Sequence, residues 1–98
     1  MIKIQVMKNP EQDTIIVSGH SGYDVEGHDI VCAGVSSIVI TTINAIIRYK
    51  NDLIEYESKS GYVKMVIKHD EIADLLIENM ISLLKEMEEK YQKYIEIN

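Results

Sequence analysis

Ser18-Gly19-His20-Ser21-Gly22-Tyr23-Asp24-Val25-Glu26-Gly27-His28-Asp29-Ile30-Val31-Cys32-Ala33-Gly34-Val35-Ser36 is the stretch around which the rest of the chain is arranged. It holds the only cysteine and two of the three histidines. Thr14 to His20 leads into it and is rich in β-branched residues, which predicts a strand. Ser21 to His28 follows as a polar loop framed by Gly22 and Gly27, residues that tolerate backbone angles others avoid. Asp29 then has the chemistry of an N-cap, because its carboxylate can accept from the free N–H groups of a first helical turn. From Ile30 to Ile47 no charge occurs, and length favours a helix over a strand. Strand, loop and helix start are therefore expected at one place.

The flanking sequence is simpler. Met1 to Met7 alternates Ile2, Ile4 and Val6 with Lys3 and Gln5, a strand pattern that Asn9-Pro10 interrupts with a turn. It should form a hairpin with Thr14 to His20. Beyond the helix, Leu53 to Glu57 and Tyr62 to Lys68 read as two strands around Ser60-Gly61, with Val63, Met65 and Ile67 on one face. Asp70 caps a last helix, expected from Glu71 to about Tyr94. Ile72, Leu75, Leu76, Asn79, Met80, Leu83, Leu84, Met87 and Tyr91 form its predicted inward stripe. The order β-β-α-β-β-α predicts an α+β fold. An antiparallel-rich sheet would pack with two helices in one domain over residues 1–98.

Composition narrows the function. The chain has 98 residues and a net charge of −6, with no Lys/Arg cluster, so direct nucleic-acid binding is not expected. Glu11, Asp13, Asp24, Glu26 and Asp29 follow one another without a Lys or Arg, an acidic rim suited to a basic partner. A single cysteine excludes an internal disulfide and a multi-thiolate zinc site. No secretory signal is evident at Met1 to Met7, which points to a cytoplasmic, reducing setting. The charge-free run approaches membrane-span length. Ser36, Ser37, Thr41, Thr42 and Asn44 within it favour a packed helix, so no membrane association is expected. A chain this small has a modest core, which makes a homodimer the expected assembly.

The central stretch also gathers the chemistry. A cysteine attacks as its thiolate, which a helix N-terminus and a neighbouring histidine both favour. Cys32 falls in the predicted first turn, and the N–H groups of Cys32 and Ala33 are candidate oxyanion donors. His20, at the end of a strand, is the first candidate for the base. His28 is the second, by i, i+4 geometry to Cys32, and His69 has no chemical neighbour in sequence. Two other readings stand beside the Cys/His pair. His20, His28, Asp29 and Cys32 carry donor types that zinc accepts, though without paired-ligand spacing. Cys32 can also be an inert core residue of a non-catalytic binding protein.

Ser18-Gly19-His20, a glycine-bearing loop, and Gly27-His28-Asp29-Ile30-Val31-Cys32-Ala33-Gly34-Val35-Ser36 together resemble the signature of the ribosomal-processing cysteine proteases, the Prp family. Length and element order agree with that resemblance. It implies a dimeric cysteine endopeptidase needing no cofactor. Such an enzyme removes the N-terminal extension of large ribosomal subunit protein twenty-seven, cutting after an apolar-aromatic motif and before basic residues. By position, Cys32 would be the nucleophile and His20 the base, with Asp29 beside the site and Ser36 a motif serine. Gly22, Tyr23, Asp29, Ala33 and Ser36 are the candidate substrate-binding residues. Ser21 to His28 matches a segment that moves on substrate binding, and Ser21 stands where the family commonly has alanine.

Overall fold

The computed structural model describes residues 1–24 and 29–98. Expectations resting on Val25, Glu26, Gly27 and His28 lie outside the described residues. β1 (Ile2–Met7) and β2 (Gln12–Ser18) form the expected hairpin, with Ile4 opposite Val17 and Val6 opposite Ile15. α1 runs Ile30–Tyr49, and Arg48 sits in its last turn, where positive charge suits the dipole. β3 (Ile54–Lys59) and β4 (Tyr62–Lys68) form the second hairpin, and α2 spans Glu71–Lys90. A short β5, Ile95–Ile97, ends the chain. The five strands lie in the order β3-β4-β2-β1-β5. All pairings are antiparallel except β1 with β5.

The α+β fold is as expected, with local differences at element ends and one added strand. β2 stops at Ser18, so His20 lies just past the strand. α2 ends at Lys90 rather than near Tyr94. Tyr91 leaves helical geometry at φ −123°, and the chain turns back to lay Ile95 against β1. β5 escaped prediction because only three residues form it, and its partner lies at the other end of the chain.

The buried face of α2 is also rotated from the predicted stripe. Ala73, Ile77, Met80 and Leu84 are buried, whereas Ile72, Leu75 and Leu83 remain in solvent, Leu75 at 63% exposure. With Asn79, which is also exposed, four of the expected inward positions are therefore surface positions.

One core joins the helices to a single face of the sheet. Ile2 and Ile4, Ile15 and Val17, Met65 and Ile67, Ile54 and Ile95 supply the sheet side. Val31, Val35, Val39, Ile43 and Ile46 supply the α1 side. α1 is long and apolar enough to cross a membrane by length and composition. Here the periodic burial of Val31, Val35 and Val39 turns that hydrophobicity inward. At Gly34 a Cβ would sit 2.8 Å from Met87 Cε, so the missing side chain lets α2 close onto the start of α1. The packing thereby fixes the N-terminal turn of α1 beside the end of β2.

Asp13 does not join an acidic rim. It is buried, with Oδ1 3.5 Å from His69 Nε2. His69 in turn has neighbours that its sequence position hid: Nε2 lies 2.7 Å from the Asn9 carbonyl and Nδ1 3.0 Å from Asp74 Oδ1.

Candidate active site

The site is built where β2 ends and α1 begins. Asp29 is the N-cap, in extended geometry, and its Oδ1 accepts from the N–H groups of Val31 and Cys32, each at 3.0 Å. Cys32 is thereby held in the first turn of α1, half-buried and free of any disulfide. The other carboxylate oxygen of Asp29 accepts a hydrogen bond from the Ser21 hydroxyl. Burial pushes the Asp29 carboxyl upward. The Ser21 hydroxyl, the Cys32 N–H, the Cys32 side chain and the Val31 N–H outweigh it and hold it below 3.8.

These bonds change one expectation. The N–H groups of Cys32 and Ala33 were candidate oxyanion donors. The first donates to Asp29 Oδ1 and the second to the Asp29 carbonyl at 3.1 Å. The N–H directed at the sulfur belongs instead to Ser21, at 3.3 Å from Cys32 Sγ. No sequence pattern marks that contact, because it joins two residues eleven positions apart across a loop.

His20 follows β2 closely and is exposed. Gly19 N–H donates to the Gly61 carbonyl at 2.8 Å, which brings the β2 end against the β3–β4 turn. The His20 ring lies over Gly61, where a Cβ would stand 2.7 Å from Nε2. No hydrogen bond joins His20 to Cys32 in this state. Both line the same two cavities.

The first cavity, of about 220 Å³, is mostly apolar: Ile2, Val17, Val35, Val39, Ile40, Tyr62 and Val63 surround it, together with Ser36, Ser58 and Lys59. The second, of about 430 Å³, lies on the loop side and is lined by His20, Gly22, Asp24, Asp29, Cys32, Ala33 and Ser36. A larger groove of about 870 Å³ between β1, β5 and α2 is lined by Glu and Lys side chains together with Val6, Ile81, Ser82 and Ile97, and by none of the residues that line the other two. Neither the cysteine nor a histidine reaches it.

The structure thus gathers Gly22, Asp29, Ala33 and Ser36 around His20 and Cys32, with Ser36 shared by both cavities. Gly22 adopts φ +72°, the left-handed region that favours glycine. Tyr23 points elsewhere. Its ring meets Tyr94 edge-on at 5.2 Å and Tyr91 at 5.9 Å, pinning this part of the chain to the end of α2. Among the described residues, no three His, Cys, Asp or Glu side chains converge as a metal site. His28, the other candidate base, lies outside the described residues.

Comparison with known proteins gives a consistent result. The family model of cysteine protease Prp matches residues 1–96. The ribosomal processing cysteine protease Prp of Staphylococcus aureus (strain NCTC 8325 / PS 47) is 32% identical over 104 residues, covering 100% of this chain and 98% of that one. Its counterpart in Bacillus subtilis (strain 168) is 29% identical over 89 residues, covering 83% and 80%. The crystal structure of S. aureus Prp with a covalently linked product peptide superposes with a TM-score of 0.89 at 28% identity, over 100% of this chain and 98% of that one. The same enzyme with a substrate peptide gives 0.81 at 27% identity, with the same coverage.

Proposed function

The chain belongs to the cysteine protease Prp family and is a cysteine protease; from that premise, we propose that it removes the N-terminal extension of large ribosomal subunit protein twenty-seven with a Cys32/His20 dyad. The observation that carries this reading is the convergence of the only cysteine and His20 on two adjoining cavities of different chemistry. The whole chain acts as one protease domain.

Cys32 Sγ attacks the scissile carbonyl carbon. His20 takes the thiol proton and returns it to the leaving amine, and water then releases the acyl-enzyme with His20 as base. His20 lies over Gly61 rather than on Cys32 in this state, so the pair closes when substrate is bound; catalytic hydrogen bonds commonly tighten only in the substrate complex. The apolar cavity takes the apolar-aromatic side chains before the cut. The loop-side cavity, with Asp24 and Asp29, takes the basic residues after it. A relative carrying a covalently linked product peptide supports the covalent step.

The same reading has the enzyme working in the cytoplasm as a homodimer, without direct contact with nucleic acid or membrane. Support for the dimer is the apolar surface left on α2 by Ile72, Leu75 and Leu83. The competing reading, a non-catalytic assembly factor with an inert Cys32, requires a sulfur closed off from ligand, and Cys32 lines both cavities.

The test is to incubate the protein with the extended ribosomal protein as wild type, Cys32→Ala and His20→Ala. The expected result is one cut in wild type, none in Cys32→Ala, and at least a hundredfold slower cutting in His20→Ala, of the order general-base catalysis supplies (about 10²-fold or more). Cleavage that survives in Cys32→Ala would overturn the mechanism.

A further inference from the structure

We propose that Ser21 is a positioning residue of the reaction, whose hydroxyl, held by Asp29, aims its own backbone N–H at the reacting sulfur of Cys32. The inference rests on Cys32 being the nucleophile.

Ser21 is buried, at 4% exposure, although it follows an exposed histidine and precedes exposed Gly22 and Tyr23. No strand pairing fixes its backbone, because β2 has ended at Ser18. Its side chain does that instead. The hydroxyl donates to Asp29 and also accepts from the Tyr23 N–H at 3.1 Å. Asp29 is itself fixed by two bonds from the first turn of α1. The loop segment and the helix start are thus joined side chain to side chain, and the remaining donor of Ser21, its N–H, is directed at Cys32 Sγ at 3.3 Å.

That N–H has a chemical use. A donor at a thiolate stabilises the charge that makes sulfur a nucleophile. When sulfur bonds to the carbonyl carbon, the charge moves to the carbonyl oxygen, one bond beyond, and a donor beside the sulfur is placed to follow it. The N–H groups of Cys32 and Ala33 are already committed to Asp29, so they do not serve that oxygen in this arrangement. His20 belongs to the same short segment, so the Ser21 tie also sets where the imidazole stands.

The experiment compares steady-state cleavage of the extended ribosomal peptide by wild type, Ser21→Ala and Ser21→Thr, with Cys32→Ala as the control for the underlying reading. Thermal unfolding is followed in parallel. Ser21→Ala should lower kcat about tenfold or more with KM within about twofold, because the misplaced groups act in the transition state. Iodoacetamide should also alkylate Cys32 more slowly in Ser21→Ala than in wild type. Ser21→Thr, which keeps the hydroxyl, should restore most of both rates. A Ser21→Ala enzyme with wild-type kcat and alkylation rate overturns the inference while leaving Cys32 as the nucleophile. Activity in Cys32→Ala overturns the nucleophile itself. Should Ser21→Ala fail to fold, Asp29→Asn reads the same linkage. That variant keeps an oxygen for the helix cap but removes the charge that the Ser21 hydroxyl meets. Asp29 also lines the loop-side cavity, so KM can rise with the lost charge; a kcat loss at saturating peptide supports the inference, and unchanged kcat overturns it.

Discussion

The imidazole of His20 rests on the backbone of Gly61, so close that a Cβ there would lie 2.7 Å from Nε2 and 3.2 Å from Cε1. The glycine of the β3–β4 turn thus lines the proposed active site with His20 and Cys32, although it is distant in sequence. Gly61 also holds φ +69°, where an L side chain is strained. Gly61→Ala should therefore displace His20 and lower kcat/KM by about tenfold or more, while costing about 1 kcal/mol of stability. Cleavage kinetics beside a urea melt separate the two effects. Wild-type kinetics with a loss confined to stability would show that the His20 position over Gly61 has no bearing on turnover.

Asp29 should make the fold acid-sensitive. Hydrogen bonds from Ser21, Cys32 and Val31, set against burial, lower its folded-state pKa below 3.8. A depressed carboxyl contributes stability above its unfolded value, and that contribution is lost as pH falls through the folded value. Urea midpoints measured from about pH 7 down to about pH 2.5 should fall less steeply below about pH 4 in Asp29→Asn than in wild type. Asp29→Ala, which removes the cap altogether, should lose about 1 kcal/mol at neutral pH.

His69 acts in the opposite pH direction. Its two ring nitrogens face Asp74 and the Asn9 carbonyl, which are both acceptors, so only the imidazolium satisfies both contacts. The Asp74 bond, the Asn9 bond and the charge of Asp13 raise its pKa above 6.5 against the effect of burial. Its contribution is full below 6.5 and is lost as pH rises through the higher folded value. His69→Gln should therefore weaken the protein more at about pH 6 than at about pH 9 by chemical denaturation. Equal losses at both would contradict this.

Asp24 tests the charge argument for substrate. It lines the loop-side cavity with His20 and Cys32. Asp24→Lys should raise KM for a peptide with basic residues after the cut and reduce the dependence of KM on added salt. A peptide neutral after the cut should respond much less. Identical salt curves for wild type and variant would remove the acidic rim from the account.

Much of this was legible locally. Asp29 before an apolar run announced a helix start, and with it the place of Cys32, because capping is a contact over two or three residues. The alternation in β1 and β4 likewise assigned Ile4 and Met65 to the core. What sequence periodicity missed depends on contacts between distant segments. Ile95 enters the sheet only because β1 offers an edge, and α2 turns Ala73 rather than Leu75 inward where it packs against α1 and β5. At the site, the His20 and Cys32 candidates were visible as residue types. The Ser21 N–H on the sulfur and the Gly61 seat of His20 arise from chain crossings that no spacing encodes.

In the proposed mechanism Cys32 carries the acyl group. Acid-quenching the wild-type protein during turnover of the extended ribosomal peptide, then reading its intact and digested mass, tests this directly. An adduct on Cys32 is expected, equal to the N-terminal product less one water, the mass of a thioester, transient in wild type and absent in Cys32→Ala. Cleavage that proceeds with no adduct on Cys32, and persists in Cys32→Ala, would contradict it.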